Sequence, residues 1–121
     1  MRPNGGPAER VNDLASERYS PRAFADRPIP PDVLRRVFEA ARWVASAYNE
    51  QPWRWLVATR DDEPGFACLL STLVPSNQVW AKNAAALAIS LARTAFERNG
   101  KPNRHAYHDV GQTAAGLALA A

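Results

Sequence analysis

An α+β domain, with helices flanking a sheet, is what the residue pattern predicts, and three observations carry that expectation. A proline-opened stretch from Pro30 to Val44 repeats apolar residues at helical spacing. Two short runs have strand length, WRWLVATR from Trp53 and AALAISLAR from Ala85; the second fits strand or helix by periodicity alone and is read as strand because turn-like segments bracket it. A final stretch from Asn103 or Arg104 runs with helical periodicity through Tyr107, Val110, Ala114 and Leu117 to the last residue. At 121 residues, with 46% apolar and 22% charged content, the chain suits one hydrophobic core and not two.

Residues 1–9, rich in glycine and proline, are expected to form a disordered leader, with the domain spanning 10–121. A short helix is expected from about Arg10 through Val11, Leu14 and Ala15, followed by the basic loop ERYSPRAFADRPIPP. Pro30-Pro31-Asp32 then opens the clearest helix, because proline is tolerated in a first turn where its missing N–H has no intrahelical partner. Val33, Leu34, Val37, Phe38, Ala41 and Val44 form its apolar face, and Arg35, Arg36, Glu39 and Arg42 form the other. The polar loop SAYNEQP leads into the first strand, where Trp53, Trp55 and Val57 alternate onto one side. Residues 63–73 read as a short helix, Pro75-Ser76-Asn77 as a turn, and Asn99 to Asn103 as a loop. The terminal helix has no closing glycine, cation or proline, so the domain is expected to be incomplete at its C-terminus. Gly111, Ala114, Ala115 and Ala118 leave one of its faces small enough for another helix to approach, as at a subunit interface.

Several function classes are set aside by composition. Fifteen Lys and Arg against twelve Asp and Glu leave a charge of only +3, with the cations scattered, which argues against nucleic acid. The N-terminus lacks a signal-peptide pattern and no apolar run reaches membrane length, so a cytoplasmic protein with no membrane partner is expected. Cys68 has no second cysteine and sits in an apolar stretch, as a buried structural thiol would. His105, His108 and Asp109 lack a further ligand at metal-site spacing, so no metal is expected and they read as surface and cap residues. The serines lack the glycine frame of a nucleophile elbow.

Three polar segments remain as candidates for chemistry. In RYSPR, Arg18 and Arg22 flank Ser20, and two guanidinium forks with a hydroxyl suit a phosphate; solvated surface arginines are the plainer reading. In the loop from Ala45 to Trp53, Ser46, Asn49 and Gln51 supply donors and acceptors of the kind a heteroaromatic ring edge needs, or else cap and turn the chain. Near the third turn, Asn77 could bond a ring edge with Trp80 packed beside it, or the two could be a cap and a core anchor.

Taken together and in this order, these segments resemble the nitroreductase family of FMN-dependent flavoproteins. The resemblance runs from about Leu14 to Ala121 and rests on RYSPRAFADRPIPPDVLRRVFEAARWVASAYNEQPWRWLVAT, NQVWAKNAAALAIS and HDVGQTAAGLALAA. It implies a mainly antiparallel sheet, FMN as cofactor, NAD(P)H as reductant and a homodimer with the flavin at its interface. Arg18, Ser20 and Arg22 would then meet the ribityl phosphate and pyrimidine side, where a cation favours the anionic reduced ring. Ser46, Asn49 and Gln51 would approach the same flavin from the partner subunit, and Asn77 would match a position at the ring edge. No side chain reads as an obligatory acid or base, so no catalytic residue is assigned. The expected reaction is ping-pong electron transfer from NAD(P)H to nitroaromatic, quinone or similar acceptors. Family members are longer, and their later residues contribute to the flavin site. Trp80 also stands where some relatives carry lysine. The alternative is a truncated or degenerate chain that dimerises or binds a ligand without flavin turnover.

Overall fold

The computed structural model describes residues 13–121. The expected leader, with Arg10 and Val11 of the first helix, lies outside the described residues. The part of that helix within them is α1, Asp13–Glu17, where the Ser16 hydroxyl donates to the Asp13 carbonyl at 3.1 Å.

Helix α2, Pro31–Arg42, starts where the pattern places it. Pro30 is extended (φ −61, ψ 137) and Pro31 takes the first turn. The expected apolar face turns inward: Ala41 is buried, and Val33, Leu34, Val37, Phe38 and Val44 are half-buried. On the outer face Arg36 pairs with Asp32 at 3.6 Å and Arg42 with Glu39 at 2.8 Å. Pairs this exposed contribute little.

Strands β1, Trp53–Thr59, and β2, Ala86–Ala92, pair antiparallel, with Trp53 opposite Ala92 and Thr59 opposite Ala86. Trp53, Trp55 and Val57 share one face of β1, where Trp55 meets Phe38 of α2 edge to face at 5.6 Å. The other face carries Ala58 and packs on α3, Glu63–Ser71, through Phe66 and Leu69, with Leu70, Leu87 and Ile89 around them. Asp62 caps α3 by accepting the Gly65 N–H at 3.2 Å.

Two expectations are corrected here. Cys68 is exposed, because Phe66 and Leu69 take the inward face of α3 and leave Cys68 on the outward one. Pro75-Ser76-Asn77 is the first turn of helix α4, Pro75–Ala81, and not a free turn. Val74 is extended ahead of Pro75 as Pro30 is ahead of Pro31, so the same first-turn proline signal applies at both helices.

The segment after β2 turns back at Gly100, whose φ of 68 is the left-handed conformation glycine adopts freely. It leads to α5, Ala106–Ala120, which packs on α2. Thr113, 0% exposed, donates its hydroxyl to the Ala41 carbonyl at 2.7 Å and so satisfies a carbonyl near the end of α2. The close helix approach is made at Gly116, where an added Cβ would lie 2.9 Å from Val44 Cγ1. Gly111, Ala115 and Ala118 of the small face are exposed and Ala114 is half-buried. Gly116→Val is therefore expected to lower stability by about 1–3 kcal/mol in a urea titration through overpacking. Gly111→Ala, where a Cβ meets nothing within 4 Å, should not destabilise the chain.

Candidate functional site

The basic loop after α1 carries the first candidate group. Arg18 Nη1 donates to Ser20 Oγ at 3.2 Å, and the whole RYSPR stretch is exposed. Arg22 lines a cleft of about 440 Å³ with Phe24, Asp26, Arg60 and Asn83. Both terminal nitrogens of Arg60 bond Asp26 Oδ1 at 3.0 Å, which neutralises that cation and ties the loop to the far end of β1. Arg22 has no ion pair among the described residues, so its charge is available to a ligand.

The third group lies beside the first. Phe24 stacks on Trp80 with ring centres 6.2 Å apart and planes at 25°, joining the basic loop to α4. Trp80 Nε1 in turn donates to Asn77 Oδ1 at 3.3 Å. Arg22 and Asn77 therefore belong to one neighbourhood, although they are 55 positions apart in the chain.

The second group sits elsewhere. Between α2 and β1 the chain turns tightly at Ala47–Asn49, closed by the Glu50 N–H donating to the Ala47 carbonyl at 3.1 Å, and Tyr48, Asn49 and Gln51 have φ of 57, 53 and 49. Left-handed backbone costs a residue with a Cβ roughly 1–2 kcal/mol, so the surroundings must enforce it. Ser46 Oγ accepts the Gln51 N–H at 3.0 Å, and Asp109 Oδ2 accepts the Ala47 N–H at 3.0 Å. Glu50 Oε1 accepts from Arg93 Nη2 and from the Glu97 N–H, each at 2.6 Å. Arg98 lies over the Tyr48 ring at 4.6 Å and the Phe96 ring at 5.2 Å.

The consequence is selective. Ser46 is used as a turn residue, whereas the Asn49 and Gln51 side chains are exposed and make no hydrogen bond among the described residues. Three residues that anchor this loop were not among the sequence candidates: Glu50, Arg93 and Asp109. Asp109 in particular is not a surface residue; it is 2% exposed because α5 turns it under the loop to meet the Ala47 N–H. Among the described residues no group of three or more His, Cys, Asp or Glu side chains could hold a metal ion. No helix among them is long and apolar enough to cross a membrane.

The two neighbourhoods are held at opposite ends of β1. Arg22 is beside Arg60 just past Thr59, and the 46–51 loop enters at Trp53. Seven residues of strand extend roughly 20 Å, which is longer than an isoalloxazine ring. Within one protomer the 46–51 loop and Arg22 thus lie toward opposite ends of the strand. A larger open groove of about 880 Å³ runs along α2 and β1, walled by Leu34, Phe38, Trp53, Trp55 and Val57 with Gln51 at its margin. None of Arg18, Ser20, Arg22 or Asn77 lines it.

The fold and the site define a class: an α+β domain presenting exposed guanidinium, hydroxyl and carboxamide groups of the kind that suit a phosphate and a polar ring edge. The family model for the nitroreductase family matches residues 15–92, and the chain belongs to that family. It is 35% identical over 49 residues to chloronitrobenzene nitroreductase of Comamonas testosteroni, covering 40% of this chain and 22% of that protein. It is 40% identical over 55 residues to an NADH dehydrogenase of Thermus thermophilus, covering 46% of this chain and 26% of that one. Among solved structures, an oxidoreductase containing FMN superposes with a TM-score of 0.88 at 34% identity, over 97% of this chain and 60% of its own. Iodotyrosine deiodinase bound to FMN and 3-iodo-L-tyrosine shares the fold, with a TM-score of 0.60 at 19% identity over 89% of this chain and 66% of its own. The chain thus spans about a quarter of the curated relatives it matches and about 60% of the FMN-containing oxidoreductase.

Proposed function

We propose that this chain acts as an FMN-dependent oxidoreductase whose flavin sites are each assembled from two copies. When bound, FMN supplies the redox chemistry, taking a hydride from NAD(P)H and passing electrons to a nitroaromatic, quinone or similar acceptor in a ping-pong sequence. The chain's residues bind and orient. Arg18, Ser20 and Arg22 offer two cations and a hydroxyl to the phosphate and pyrimidine side, and Asn77 offers a carboxamide to the ring edge. Asn49 and Gln51, with Ser46 shaping their loop, reach the same ring from the second copy.

The observation that carries this reading is the separation of two uncommitted polar groups along β1. Asn49 and Gln51 project from a backbone that three left-handed residues hold in place, and they have no partner among the described residues. Arg22 and Asn77 lie at the other end of the strand. A two-fold pairing that sets one protomer's 46–51 loop against its partner's Arg22 end would close two equivalent sites. The exposed small residues of α5, Gly111, Ala115 and Ala118, offer a surface for that pairing.

A second reading is a nitroreductase-like chain that dimerises or binds a ligand without flavin turnover. One titration separates the two. Purified protein is titrated with FMN, and NADH or NADPH oxidation is then followed with and without a nitroaromatic or quinone. FMN binding with acceptor-dependent oxidation supports the oxidoreductase, and FMN binding without it supports the second reading. A preparation that stays colourless and does not bind FMN rules out the first.

A further inference from the structure

We propose that Trp80 is a positioning residue for the flavin: it turns the Asn77 carboxamide so that Asn77 meets the pyrimidine edge of the ring as a hydrogen-bond donor. The pair would thereby favour reduced over oxidised FMN. This rests on the flavin site proposed above.

A carboxamide can present either its oxygen or its NH2, and a half-turn of its last bond exchanges them. An indole N–H has no such choice, since it only donates. Trp80 Nε1 lies 3.3 Å from Asn77 Oδ1, so the oxygen faces the indole and the Asn77 NH2 is left without a partner among the described residues. The indole is itself fixed. Asn77 and Trp80 are three apart on α4, on one helix face, and Phe24 stacks on the indole from the basic loop.

The direction of the resulting bond matters to the ring. Its pyrimidine edge carries two carbonyls and an N–H, and reduction places negative charge on that edge. A donor there strengthens as the charge develops, whereas an acceptor there weakens. Arg22 acts in the same sense, and the Phe24–Trp80 stack links its loop to the helix bearing Asn77. The indole thus sets the polarity of a contact it does not itself make.

The test measures the affinities of the full chain for oxidised and for reduced FMN, and the flavin reduction potential, in the wild type and two variants. Trp80→Phe keeps an aromatic ring against Phe24 and removes the N–H together with part of the indole's bulk. We expect its preference for reduced over oxidised FMN to fall about fivefold, the worth of one net hydrogen bond, with a more negative potential. Asn77→Asp keeps an oxygen on the indole N–H and turns a second oxygen to the ring, and its preference should fall about tenfold or more. If Trp80→Phe does not fold, Asn77→Asp carries the test. A wild-type preference in either variant, with FMN bound, would overturn the inference while leaving the flavin site intact. Failure of the wild type itself to bind FMN would instead remove the proposed function and this inference with it. A merely structural role for Trp80 would weaken both affinities in parallel and leave the potential unmoved, which also counts against the proposal.

Discussion

Glu50→Ala is expected to destabilise the folded chain by about 3 kcal/mol in urea unfolding, the low end of the cost of breaking a buried ion pair. The Glu50 side chain is 8% exposed and holds Arg93 at 2.6 Å, while Arg93 remains 29% exposed and so keeps some contact with water. The variant leaves the Glu97 N–H without its acceptor, and Arg93 Nε already has no partner. Glu97→Ala is the control: its carboxylate pairs with Arg93 at 3.0 Å but is 75% exposed, so its loss should cost less than about 0.5 kcal/mol. Equal costs for the two variants would show that Glu50 does not anchor the loop. Glu50→Ala should also weaken FMN binding, because it releases the left-handed turn that aims Asn49 and Gln51 outward.

Removing the cations of the basic loop should affect the ligand and spare the fold. A charge-assisted hydrogen bond to a phosphate contributes about 1.5–3 kcal/mol, or at least tenfold in affinity for each guanidinium. The double variant Arg18→Ala/Arg22→Ala is therefore expected to bind FMN about a hundredfold more weakly or worse. Its unfolding midpoint should stay within error of the wild type, because both side chains are exposed and Arg18 bonds only Ser20. Isothermal titration and a urea curve on the same preparation check both parts. Unchanged affinity in the double variant would place the phosphate elsewhere.

How far the molecule could be read from its residues follows from the range of each interaction. Helix α2, β1 and α5 were legible because their signals are local: a first-turn proline, an apolar period, a short β-branched and aromatic run; β2, with Ile89 its one β-branched residue, was legible as strand only from the turns that bracket it. Helix α4 was missed although Pro75 carries the signal that located α2, because Ser76 and Asn77 also favour turns and the stretch up to Ala81 is short. The neighbourhood of Arg22 and Asn77 depends on Phe24 reaching Trp80 across the fold. Glu50–Arg93 and Ala47–Asp109 join residues 43 and 62 positions apart, and nothing in either local pattern announces them. The left-handed run at Tyr48, Asn49 and Gln51 contains no glycine to mark it, so that conformation is imposed by its anchors.

The shared site is tested most directly by subunit complementation. Arg22→Ala removes one half of the proposed site and Gln51→Ala the other, so each variant alone should bind FMN poorly. Unfolding the two together and refolding at equal amounts makes half the dimers hybrids, and each hybrid would hold one site with both residues intact. Recovery of about a quarter of the wild-type site number is the predicted result. A mixture that binds no more FMN than the two variants measured separately would contradict a site built from two copies.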